Sequence, residues 1–292
     1  MQTFEIAPRG PFTLSSAARF ISGWPPAARK REPQADVMRL GFLVDDWSGH
    51  AGVVMRQREH GVVELTLTEC TAADPRRACE QACRVVSLDH DGTGYPAVGE
   101  RDPVVGELQR ASGYLRPVLF HSPYEAACWG VISARLRQPI AARIRDRVVS
   151  QHGHRIDVEG EELLGFPAPE RLLEVRQLEG LPEVKLRRLH GIAEAALEGR
   201  LEREGLLRLD QDAAVKQLQE LPGIGQFWSQ GVFLRAVGPT DGVTLAEPRV
   251  RAKAAERYGR PELVDDDTAF LALVERWRPF RTWVTVLLRA AG

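Results

Sequence analysis

The sequence predicts an α+β fold in which a small antiparallel sheet domain precedes a larger all-α domain. Three observations carry this. Period-two alternation of apolar and polar residues appears only in the first quarter of the chain. Helix start and stop signals recur from Asp74 onward. Gly/Pro turns separate these helical stretches, which show no sequence repeat.

The strands come first. GVVELTLTEC alternates Val63, Leu65 and Leu67 against Glu64, Thr66 and Thr68, as a half-buried strand does. VMRLGFLVD and HAGVVMRQRE read as its neighbours, with EHG as the hairpin turn, so one face of the sheet should be covered. DPRRACEQACRVVSL then begins a helix with Asp74 as N-cap and Pro75 at the first helical position. Residues 89–104 are rich in Gly, Pro and Asp and read as a boundary, dividing the chain into domains 1–90 and 91–292.

Beyond that boundary no strand pattern is evident. SPYEAACWGVI opens on a capping box, Ser122 with Glu125, and has Pro123 in the first turn. PIAARIRDRVVSQHG is amphipathic and ends at Gly153. APERLLEVRQL, EVKLRRLHGIAEAALEG, QDAAVKQLQEL, GQFWSQGVFLRAV, EPRVRAKAAERYG and DTAFLALVERW continue the helical series.

Composition bounds the function. The 292 residues are 43% hydrophobic and 27% charged with a net charge of −1, so any affinity for a polyanion must come from local charge. Four cysteines (70, 79, 83 and 128) form no CxxC pair, and reduced buried thiols are expected in place of a metal site or disulfide framework. The opening MQTFEIAPRG lacks a signal-peptide pattern and no apolar run approaches membrane-spanning length; a soluble, cytoplasmic protein is expected.

The most informative stretch runs from Leu221 to Val250. In LPGIG, Gly223 and Gly225 flank Ile224 between two helical patterns, and such glycines let main-chain N–H groups point outward at a helix start, where a phosphate binds well. An isolated pentad of this kind also reads as a plain helix–helix turn. Glu247, 22 residues beyond Gly225, stands directly before Pro248, where it reads either as a catalytic carboxylate or as an acidic helix start. Asp241, followed by Gly242, is the reserve carboxylate and reads as a turn residue.

Residues 135–155 hold six arginines (135, 137, 143, 145, 147 and 155) against one Asp146, which reads as a solvated face or as phosphate contacts. Trp129, Trp228, Trp277 and Trp283 read as core by their helical spacing, and His121 and His190 lack metal-ligand spacing.

These residues together resemble the helix-hairpin-helix/Gly-Pro-Asp superfamily of base-excision DNA glycosylases, most closely the bacterial 3-methyladenine DNA glycosylase II type. The resemblance reaches beyond LPGIG. TDGVTLAEPRVRAKAAERYG and ERWRPFRTWVTVLLR look like the family's last helices, and SPYEAACWGVISARLRQPIAARI like the pair that carries its DNA-wedging loop. FPAPERL and LPEVKLRRLHGIAEAALEG match two more of its helices. The N-terminal part resembles the TATA-binding-protein-like domain of such alkylation enzymes.

The resemblance implies a monofunctional hydrolase that releases alkylated purines (3-methyladenine or 7-methylguanine) from duplex DNA in base excision repair. The alternative it leaves is a non-catalytic damaged-DNA-binding protein of the same fold. Glu247 falls where the family has its catalytic aspartate. Phe227, Gly231, Arg289 and Trp283 fall at the base pocket, and Gly223, Ile224, Gly225, Ser229, Arg135, Leu136 and Arg249 at the DNA. Ser133-Ala134 replaces the wedge loop's usual Gly-Gln. Phe227 stands where bifunctional members carry a Schiff-base lysine, and no C-terminal cysteines exist to hold an iron–sulfur cluster. The expected partner is double-stranded DNA with damaged bases, with a monovalent cation allowed at the hairpin backbone. Neither cofactor nor metal is implied, and a monomer is expected.

Overall fold

A computed structural model of the chain describes residues 2–24, 34 and 36–291. Strand β1 (Gln2–Ile6) and helix α1 (Leu14–Ser22) precede the three expected strands, β2 (Val37–Leu43), β3 (His50–Gln57) and β4 (Val63–Cys70). The sheet is antiparallel in the order β1-β4-β3-β2. EHG forms one tight turn, with His60 and Gly61 at φ 67° and 83°. Strand β1 was not legible, because its five residues offer only Phe4 and Ile6 as a pattern.

The alternation holds. Leu40 and Phe42 of β2, Val53 and Met55 of β3, and Val63 and Leu65 of β4 pack against α1 and the capped helix α2 (Pro75–Val85). Each fully buried side chain of this kind contributes about 1.5–3 kcal/mol.

Two corrections follow. The sheet is covered on both faces, and the helical part does contain strands. β5 (His154–Val158) and β6 (Glu161–Gly165) form a hairpin whose Ile156 and Val158 pack on Val54 of the sheet's outer face. Its two-residue loop, Glu159-Gly160, has φ values of 55° and 75°, the mirror-image turn that matches strand twist. Close approach explains two mid-strand glycines. A Cβ on Gly41 would lie 2.7 Å from Leu163 Cβ, and one on Gly52 would lie 2.9 Å from Ile156 Cγ2.

The stretch read as a boundary carries α3 (Tyr95–Arg101) and the start of α4 (Pro103–Ala111), which is capped by Asp102 with Pro103 at its first position. Then follow α5 (Pro123–Ser133), α6 (Gln138–His152), α7 (Pro169–Leu173), α8 (Glu183–Leu197), α9 (Arg203–Leu207), α10 (Gln211–Gln219), α11 (Gln226–Val232), α12 (Pro248–Tyr258), α13 (Asp267–Val274) and α14 (Arg281–Ala290). At the start of α5, Glu125 N–H donates to Ser122 Oγ at 3.1 Å, one half of the expected capping box, while the Glu125 carboxylate turns instead to His121 and Arg145, each at 2.9 Å.

The helices divide between two cores. One joins α5–α11; the other joins α3 and α4 with α12–α14. Residues 95–111 therefore pack with the far end of the chain. Among the described residues no helix is long and apolar enough to cross a membrane, and the four cysteines are unpaired, with 79, 83 and 128 buried.

Candidate functional site

The site is built around the hairpin between α10 and α11. Gly223 has φ +85°, a left-handed conformation that a side chain resists, and a Cβ there would sit 2.7 Å from Arg188 Cδ. Ile224 N–H donates to Leu221 O at 3.1 Å, and its side chain is only 4% exposed. The hairpin therefore turns Ile224 inward and can offer only its backbone outward. Gly225, at φ −94° and ψ −174°, needs no glycine for its conformation; a Cβ there would meet nothing within 4 Å. Its carbonyl accepts from Ser229 N–H at 2.9 Å and so opens α11, whose first N–H groups lack intrahelical acceptors. Ser229 itself is fully buried and donates to Gln226 O at 3.0 Å, so it turns away from the surface where a phosphate would lie.

Helix α11 continues into a wide π-type turn, Phe233–Val237, closed by Gly238 N–H on Phe233 O at 2.9 Å. An α-helix would pair the Arg235 carbonyl with the N–H of residue 239, but that residue is a proline. The carbonyl accepts instead from Phe120 N–H at 2.8 Å. The Arg235 guanidinium donates to Val118 O at 2.8 Å and lies 4.8 Å above the Trp24 ring and 5.4 Å above the Phe20 ring. Burial, helped by the like charge of Arg289 and opposed by Glu247, brings its pKa down to about 10.

Glu247 is both things the sequence suggested for its position. It is the N-cap of α12, with Oε1 accepting from Arg249 N–H at 3.1 Å and Pro248 next in line. It also faces open space. A cleft of about 1050 Å³ runs between the two helical cores, with Glu247, Phe227, Gly231, Arg289, Arg135 and Leu136 all on its walls, and Arg249 beside them. A smaller recess opens off it, and Phe227, Gly231, Arg235, Glu247 and Arg289 stand at both. Phe227 is 43% exposed there, packed edge-on against Trp228 with ring centroids 5.4 Å apart.

Two residues fall outside this grouping. Trp283 is 1% exposed and packed within 5.0 Å of Tyr95, 4.9 Å of Phe280 and 5.1 Å of the Arg116 guanidinium, so it is a core residue and not part of the pocket wall. Asp241 is held by Arg281, through Nε to Oδ1 at 2.8 Å and Nη2 to Oδ2 at 3.0 Å, and by Arg278 at 2.7 Å. These pairs make it a loop brace.

The arginine run divides. Arg145 pairs with buried Glu125 at 2.9 Å, Arg147 with Glu179 at 3.5 Å and Arg155 with Glu162 at 2.5 Å. Among the described residues Arg135, Arg137 and Arg143 are exposed and have no ion pair, which leaves them available to an anion. Arg135 has φ +59°, a strained conformation for an arginine, in the loop after α5. Lys185 fixes that loop by donating to Ile132 O at 2.7 Å and Ala134 O at 2.8 Å. Leu136 is half-buried against the first core and reaches the cleft at its edge.

Several wall residues were missed in the sequence. Arg19, Phe20 and Trp24 come from α1 and the turn after it, and Arg257 from α12. Arg235 did carry a signal, as a lone cation inside the apolar run GVFLRAV. Six arginines (19, 135, 235, 249, 257 and 289) and two glutamates (107 and 247) line the cleft, a local positive balance that the whole-chain charge conceals.

No family model matches the chain. In sequence it is similar to the DNA-3-methyladenine glycosylase of Bacillus subtilis, 25% identical over 211 residues that cover 69% of this chain and 67% of that one. It is also similar to DNA-3-methyladenine glycosylase 2 of Escherichia coli, 27% identical over 183 residues covering 61% of each chain. The chain thus spans about two thirds of these curated relatives' length. In structure it resembles the 3-methyladenine DNA-glycosylase of Archaeoglobus fulgidus, with a TM-score of 0.75, 19% identity, and coverage of 99% of this chain and 97% of that one.

Proposed function

We propose that this chain, a member of the helix-hairpin-helix DNA glycosylase superfamily by sequence and fold, hydrolyses the N-glycosidic bond of alkylated purines, of the 3-methyladenine and 7-methylguanine kind, in duplex DNA. The observation that carries this reading is Glu247 on the wall of an arginine-rich cleft, at the mouth of a recess shared with Phe227. The hairpin backbone and the unpaired arginines supply phosphate contacts, and Phe227 offers an aromatic face to a base turned out of the duplex.

The chemistry then needs little. An N3- or N7-alkylated purine already carries positive charge and leaves without a strong acid. As the C1′–N bond breaks, its electron pair stays with the base and the sugar becomes an oxocarbenium ion. Glu247 stabilises that cation, orients the attacking water and takes the proton that the water gives up as its oxygen bonds to C1′, the work a glycosidase carboxylate does. No amine stands at position 227 to form a Schiff base, and Lys185 is engaged with two carbonyls, which favours hydrolysis over strand cleavage.

Incubation with methylated duplex DNA tests this reading, with released bases separated by chromatography. Release of methylated purines above the protein-free control is expected, leaving alkali-labile abasic sites. Salt-sensitive binding to such DNA with no release would overturn the enzymatic reading in favour of damaged-DNA binding alone.

A further inference from the structure

We propose that the N-terminal part of the chain is itself a DNA-contacting surface, in which Arg19 of α1 binds a backbone phosphate of the strand whose nucleotide is turned into the cleft. This rests on the reading of that cleft as a DNA site and adds a contact from outside the helical cores.

Helix α1 has two faces. Leu14, Ala17, Ala18 and Ile21 are buried in the core beneath the sheet, and Leu14 N–H donates to Gln57 Oε1 at 2.8 Å, which fixes the helix to the N-terminal layer. Ser16, Arg19, Phe20 and Gly23 line the cleft, at the i, i+3, i+4, i+7 spacing of a single helix face. Arg19 is the charged residue of that face, and it is exposed. Among the described residues its guanidinium has no hydrogen bond or ion pair, although Glu107 of α4 lines the same cleft.

Other arginines of the cleft are nearly as free. Among the described residues the Arg249 side chain is exposed and unpaired, and Arg257 makes a single 3.4 Å bond, to Ala291 O. Cations gathered around one concave site repel each other, and their fields add there. A polyanion that enters relieves the repulsion and releases its own counterions. The space suits more than a base. At about 1050 Å³ the cleft slightly exceeds the roughly 300–1,000 Å³ that encloses a drug-sized ligand, which leaves room for a sugar and its flanking phosphates. A guanidinium offers paired N–H donors that match phosphate oxygens.

The contact has a defined moment. A stacked duplex stays outside the cleft, and its strand reaches Arg19 only when a nucleotide leaves the stack. That separates Arg19 from an arginine that merely attracts DNA at a distance.

The experiment uses two duplexes of one sequence, one undamaged and one carrying a single tetrahydrofuran abasic analogue. The analogue has no base to unstack or release, so it reports binding apart from chemistry. Anisotropy titrations at several salt concentrations compare wild type, Arg19→Gln and Arg19→Lys, with circular dichroism melts as the check on folding. On the analogue duplex, Arg19→Gln should flatten the dependence of log affinity on log salt by about 0.9, and Arg19→Lys, which keeps the charge, should restore it. On the undamaged duplex both slopes should match wild type. Neutral methylphosphonates placed one at a time around the analogue then locate the contact. At one position wild type should weaken while Arg19→Gln loses nothing further. Unaltered slopes with Arg19→Gln, or equal flattening on both duplexes, would overturn the proposal and leave the DNA reading of the cleft intact. Absence of binding by wild type to either duplex would overturn both.

Discussion

Replacing Glu247 with glutamine separates its two positions in the structure. As an N-cap, Glu247 accepts from Arg249 N–H at 3.1 Å, and glutamine retains a carbonyl oxygen for that bond. What is lost is the attraction of a negative charge to the helix start, about 0.3–1 kcal/mol. For a chain of this size that lowers the melting temperature by under about 4 °C. The catalytic effect should be far larger. Charge at an oxocarbenium ion and orientation of a water are each worth roughly 10²–10⁴ in rate, about 3–5 kcal/mol. The assay is single-turnover release of 7-methylguanine at saturating protein, which separates chemistry from binding. Glutamine should reduce the rate at least 10²-fold with DNA affinity nearly unchanged. Aspartate keeps both charge and cap, so its melt should match wild type. Its carboxylate is one methylene short, and a misplacement of about 1 Å costs up to 10²-fold, so its rate should fall between wild type and glutamine. Base release at the wild-type rate by Glu247→Gln would refute the catalytic assignment. A rate loss accompanied by an equally large loss of stability would reduce Glu247 to a helix cap.

Three further outcomes are expected. Arg137→Gln and Arg143→Gln should each flatten the dependence of log affinity on log salt by about 0.9 and leave the melt unchanged; an unaltered slope in anisotropy titrations would show that these arginines face only solvent. Gly223→Ala should cost about 1–2 kcal/mol, from its +85° φ and the approach to Arg188, and should weaken DNA binding in the same titrations; an unaffected melt would mean that the turn relaxes freely. Glu125 is buried, which alone would raise its pKa, but His121 and Arg145 outweigh burial and hold it at about 2. Its folded pKa is thus depressed, so the stability it contributes is present above about pH 4.5 and is lost as pH falls toward 2. Glu125→Gln should flatten that acid limb in urea titrations, whereas an acid limb identical to wild type would assign acid unfolding to other carboxylates.

What could be read from the sequence was what is local. Strand β4 announced itself by alternation and β2 and β3 as its neighbours, α2 and α5 by caps and prolines, and LPGIG by its glycines. The β5–β6 hairpin was missed because five-residue strands rich in Glu, Asp and Arg fully bury only two apolar side chains, Ile156 and Val158, and its turn is Glu-Gly where Asn-Gly would have signalled. Trp283 and Ser229 show the reverse limit. Both lie on helices that border the cleft, and only their rotation about those helices decides that one packs on Tyr95 and the other caps back on Gln226. The arginine run could not be divided from sequence either, because Arg145 differs from Arg143 only in facing Glu125.

The least legible part is the charge of the recess, and its cause lies outside the hairpin. Pro239 denies the Arg235 carbonyl a helical partner, so it pairs with Phe120 across a wide turn. Such turns inside helices are frequent at functional sites, because they displace side chains from the regular spiral. Here the displaced side chain is a cation, fixed from above by Trp24 and Phe20 of the N-terminal layer and tied to Val118. The N-terminal part therefore reaches the candidate active site through α1 and the turn after it. It holds one guanidinium at the recess where Glu247 and Arg289 also stand. Truncating Trp24 would release Arg235 from a cation–π contact worth about 0.5–2 kcal/mol and alter the recess from the cleft wall that the N-terminal part supplies.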